Sequence, residues 1–123
     1  MTDNERALVE KLRDQTRAGK LTWESLGEDS GLLMAVLPNR QSFHIELQPP
    51  EDVLFVGPPV ERRVRLRMLD QKGSTVLDTG AQEAQGPRED YDLLLELYEA
   101  ARDRARSTDD ETIKRALKAL EKL

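Results

Sequence analysis

The chain has 123 residues, 37% of them apolar and 35% charged, with a formal net charge of −5. This length suits one domain with a single modest core, and a charged fraction well above the roughly 25% of an average domain suits a small body with much solvated surface. The acidic balance argues against a general nucleic-acid binder, the absence of cysteine excludes disulfides, thiolate nucleophiles and cysteine metal sites, and no apolar run approaches the roughly 18 residues of a membrane span.

The first segment, MTDNERALVEKLRD, has no uninterrupted apolar core of the signal-peptide kind, so a cytoplasmic location is the default expectation. TDNE places Thr2 as a helix cap with Glu5 three residues on, a pairing in which each side chain satisfies the other's backbone donor. Leu8, Val9 and Leu12 then form an apolar stripe, and Gly19 in AGK stops the helix.

Past Gly19 the apolar period changes to two. Strands are predicted at 21–25 (LTWES), 32–37 (LLMAVL), 42–47 (SFHIEL), 62–69 (RRVRLRML) and 74–79 (STVLDT). Turn chemistry in GEDSG, PNRQ and DQKG makes sequential strands antiparallel neighbours, hence a meander. Trp23 is expected to anchor the first strand in the core.

The connection 48–61, QPPEDVLFVGPPVE, breaks the rhythm. Two prolyl pairs stiffen it in an extended form and hold Val53, Leu54, Phe55 and Val56 between them. These four residues are either an edge strand or flap over the core, or an apolar epitope for another chain. In the next strand, Arg63, Arg65 and Arg67 share one face while Val64, Leu66 and Met68 share the other. A solvated sheet face with Glu46, Glu24 or Asp78 opposite explains these arginines, and a docking face for an anionic partner is the alternative. No aromatic residue interleaves with them, as stacking on bases would need.

After a loop at 80–86, GPRED opens a second helix with Pro87 near its start and Glu89 and Asp90 at the positive end of its dipole. Its stripes, Tyr91, Leu94, Leu95, Tyr98, Ala101 and Ala105 with Leu93, Leu97 and Ala100, place it at the centre of the fold, with Leu94, Leu95 and Tyr98 expected to be buried. The cations of RDRAR (102–106) would complement its C-terminal dipole. STDDE then repeats the capping pattern through Thr108 and Glu111, so a third helix is predicted with Ile113, Ala116, Leu117 and Leu120 as its stripe. The expected architecture is a single α+β domain: one N-terminal helix, a five-stranded antiparallel meander, and two C-terminal helices packed on one sheet face.

Little here carries chemistry. His44 is the only histidine, and an outward place on a flat strand offers it neither an orienting acid nor a pocket. With Glu46 it makes at most two ligands, short of the three or four zinc takes. The acidic pairs at helix starts are explained by capping and dipole, and no P-loop or dinucleotide-binding turn occurs. No catalytic residue, cofactor or metal is therefore expected.

AGKLTWES, VRLRMLDQKGSTVLDT and LLLELYEAARDRA together resemble a widespread type of small, largely uncharacterised bacterial α+β protein. That resemblance implies an α+β fold and supplies no catalytic residues. The expected function is a non-enzymatic accessory or regulatory module that binds another protein or a second copy of itself. The alternative is an anion- or nucleic-acid-recognising domain that uses Arg63, Arg65 and Arg67.

Overall fold

The computed structural model describes residues 1–26, 31–48 and 61–123. Helix α1 spans Asp3–Arg17 and opens with the predicted capping box: the Thr2 hydroxyl accepts from the Glu5 N–H at 3.1 Å, and the Glu5 carboxylate accepts from the Thr2 N–H at 3.0 Å. It ends in a Schellman motif, with the Lys20 N–H donating to the Gln15 carbonyl and the Gly19 N–H to the Thr16 carbonyl, each at 3.0 Å. Gly19 supplies the left-handed φ of +77° that this ending requires.

Strands β1 (Trp23–Ser25), β2 (Leu32–Val36), β3 (Ser42–Gln48), β4 (Arg63–Leu69) and β5 (Thr75–Gln82) form one antiparallel sheet in sequential order, as a meander demands. Two bounds differ from expectation by more than one residue. β1 is shorter, starting at Trp23. β5 is longer, running through Gly80 into the stretch predicted as loop. The reason at Gly80 is steric: a Cβ there would lie 3.0 Å from the Val64 carbonyl oxygen, so only glycine lets β5 stay this close to β4.

The inward face carries Trp23, Leu33, Ala35, Phe43, Ile45, Leu47, Val64 and Leu66, all buried. Helix α2 (Arg88–Glu121) lies across this face and touches all five strands through Leu93, Leu94, Leu97, Tyr98 and Ala101. Helix α1 packs on α2 and closes the core with Val9 and Leu12. The indole N–H of fully buried Trp23 donates to the buried Thr16 hydroxyl at 3.0 Å, which ties β1 to α1 and satisfies a donor that water cannot reach. Across the α1–α2 seam, Arg6 pairs with Asp90 at 2.9 Å and Arg13 with Glu96 at 2.8 Å.

Three expectations about the C-terminal region are corrected. Among the described residues there are two helices and not three, because α2 is one unbroken helix of 34 residues. The Thr108 hydroxyl does not cap a new helix; it donates to the Arg104 carbonyl one turn earlier, and Thr112 does the same to Thr108. Hydroxyls bound to the i−4 carbonyl are compatible with helix interior, and no glycine or proline occurs after Pro87 to break the run. The RDRAR cations, being mid-helix, do not meet a helix end of their own. Arg104 instead donates to the Thr16 and Arg17 carbonyls, at 3.0 and 2.8 Å, and so satisfies the end of α1. Lastly, Leu95 is only half-buried at the edge of the core, whereas Leu94 and Leu97 are fully enclosed.

This packing orders two truncations. Leu94→Ala should destabilise the fold by about 2–5 kcal/mol, with a clearly smaller effect for Leu95→Ala, as read from urea-denaturation midpoints. Equal effects would contradict the placement of α2.

Candidate functional site

The sheet face turned away from the helices holds the predicted arginines. Cross-strand register lines up Glu24, Met34, His44, Arg67 and Asp78 in one row across all five strands, with Leu32, Glu46, Arg65 and Gly80 in the next. Gln48, Arg63 and Gln82 form a third row. Three arginines thus share this face with three carboxylates, and Arg65 engages Asp78 through both of its oxygens, the Nε–Oδ1 distance being 2.9 Å. The bond from Arg65 holds the Asp78 carboxyl below the ordinary carboxylate range, and Arg67 and Arg63 add to this at longer range. The arrangement is balanced and solvated, the kind of cross-strand pairing that steadies a sheet.

His44 stands in the middle of this face, half-buried between Met34 and Arg67, with its Nδ1 enclosed and unpartnered. Desolvation, with the Arg67 charge second, pushes its pKa below the ordinary 6.5. Among the described residues, no three His, Asp or Glu side chains come together to hold a metal ion. Of the two acidic clusters read as helix starts, Glu89 and Asp90 do lie in the first turn of α2, where buried Asp90 receives Arg6 and the Met1 amine at 2.9 and 3.3 Å, whereas Asp109, Asp110 and Glu111 lie inside that helix and not at a start.

A cavity of about 300 Å³ lies between α1 and the sheet, lined by Leu8, Leu12, Leu21, Leu37 and Phe43 with Lys11, Gln15 and Lys20. The other expected epitope, Val53, Leu54, Phe55 and Val56, lies outside the described residues.

The feature that sequence reasoning misplaced is the second half of α2. Ile113, Leu117 and Leu120 were expected to be the buried stripe of a packed third helix. They are instead 58%, 56% and 63% exposed, and every residue from 109 onward is exposed. At 1.5 Å per residue, the part of α2 beyond Arg106 carries this stripe from about 10 to about 20 Å along the helix past the body. Among the described residues, no helix is long and apolar enough to cross a membrane, which sets this stripe apart from a spanning segment. The signal for it was present in the absence of any helix breaker after Pro87.

No known protein family, curated protein or solved structure matches the chain.

Two outcomes are expected for the sheet face. Replacing Arg63, Arg65 and Arg67 together with glutamine should leave a cooperatively folded protein, because exposed pairs contribute little; loss of folding would contradict the outward placement. For His44, the folded-state pKa is depressed, so as pH falls below the ordinary value the unfolded chain takes up a proton that the folded protein refuses. Its contribution is complete above that value and is lost on acidification through the window below it. Urea midpoints at about pH 7.5 and about pH 5.5 should therefore lie closer together in His44→Gln than in the wild type, and an unchanged separation would count against the burial of this ring.

Proposed function

We propose that this protein is a non-enzymatic interaction module, an accessory or regulatory protein that acts by binding another protein chain, with a cytoplasmic setting as part of the same proposal. One observation carries the reading: Ile113, Leu117 and Leu120 form an exposed apolar stripe on a helix that has left its own core. Helices that pack only on their own domain keep such residues inside, and each of these would gain roughly 1.5–3 kcal/mol from full burial against a partner. A helix laid along an apolar surface, read through anchors at i, i+4 and i+7, is a recurring mode of protein recognition.

The second reading, an anion- or nucleic-acid-recognising domain built on Arg63, Arg65 and Arg67, has less support. Arg65 is already engaged by Asp78, and the surrounding carboxylates offset the charge such a face would need.

Site-specific photo-crosslinking in cells that express the protein separates these readings. A crosslinking amino acid in place of Leu117 should give protein adducts of discrete mass, and one in place of Arg65 should not. The adducts at 117 should disappear when Ile113→Ser and Leu120→Ser are added. Adducts at 65 alone, or none of discrete mass at 117, would contradict the proposal.

A further inference from the structure

We infer that the partner of the exposed helix is a second copy of this chain, docked antiparallel along the stripe Ile113, Leu117 and Leu120; this rests on the reading of that helix as a docking element. Three features of the segment fit a copy of itself. The stripe reads nearly the same from either end, since stacking Ile113 on Leu120 of the second copy also sets Leu117 on its Ala116, where the small side chain lets the helices approach. Charge is complementary in the same register. Lys114 comes within two residues of the level of Glu121 on the same side of the helix pair, and by two-fold symmetry this pair forms twice.

Blocks of charge decide the direction. Asp109, Asp110 and Glu111 precede Lys114, Arg115 and Lys118, so parallel pairing in register would set acid beside acid and base beside base. Antiparallel pairing separates the acids, leaves Arg115 and Lys118 level with each other on the sides turned away from the stripe, and places the two bodies at opposite ends of the helix pair. In parallel pairing the helix axes would approach to about 8–10 Å where each is still embedded in its own body, with the sheet on one side and α1 on another. An ion pair within the segment, Lys114 with Asp110 at 3.3 Å, is on the surface and leaves the stripe uncovered.

Sedimentation velocity of the purified full chain over a concentration series tests this. The wild type should pass from the mass of a 14.0 kDa monomer toward twice that value as concentration rises to about 1 mM. Leu117→Asp should stay monomeric throughout, with an unchanged urea midpoint, because that residue lies outside the core. Lys114→Glu should weaken association at least several-fold, and adding Glu121→Lys to it should restore it. A wild type that stays monomeric, or a Leu117→Asp variant that dimerises as the wild type does, would overturn the inference; a double variant no tighter than Lys114→Glu would overturn the antiparallel register. A monomeric wild type with discrete heterologous adducts from position 117 would overturn self-pairing alone and leave the interaction-module reading standing.

Discussion

The apolar face of α2 between Tyr91 and Ala105 is the constraint from which the rest of the structure follows. A five-stranded meander has one face that must be covered, and this single helix touches every strand of it. Helix α1 is held through α2, by Arg104 on its terminal carbonyls and by the Arg6–Asp90 and Arg13–Glu96 pairs. Remove that face and the sheet loses its cover and α1 its main partner. The second half of α2 inherits its geometry from this packing. A helix already nucleated in a core extends at low cost, since each further residue adds a hydrogen bond without a new nucleus, and Lys, Arg, Ala, Leu and Glu are strong helix formers. The core therefore sets the direction in which the exposed stripe leaves the body.

The two faces of the sheet divide the labour differently. Inward residues carry the hydrophobic stability, and the outward face balances the charge of its arginines. Arg63, Arg65 and Arg67 alternate with Val64 and Leu66 because period two leaves them no other face, and Asp78 and Glu46 are close enough to compensate them. An acidic protein can carry a strongly basic strand when the neighbouring strands carry the balance.

Much of the fold was legible in the chain. The Thr2–Glu5 box, the Gly19 stop, the five alternating segments and the burial of Trp23 all follow from local rules that tertiary packing did not override. What was misread had a local cause with two meanings. Ser107, Thr108 and the acids after them look like a cap, but a cap needs a non-helical residue at its head, and nothing in the chain breaks the helix there. Reading a breaker where none existed turned an exposed stripe into a buried one, because helical periodicity reports that a stripe exists and not what covers it. Leu95 was overrated for a related reason: a wide apolar helix face predicts burial of its centre better than of its edges. Gly80 was read as a loop signal when its role is close approach of two strands.

The central claim is that one helix does two jobs, closing the core with its first half and offering a docking surface with its second. Amide hydrogen exchange as a function of protein concentration tests this most directly, because it reads the two halves separately. Amides of 91–105 should be strongly protected at every concentration, while those of 109–123 should exchange fast in dilute solution and gain protection as concentration rises. Protection of 109–123 that is already high in dilute solution and does not change with concentration would mean that this segment is covered by its own chain, and the account would fail.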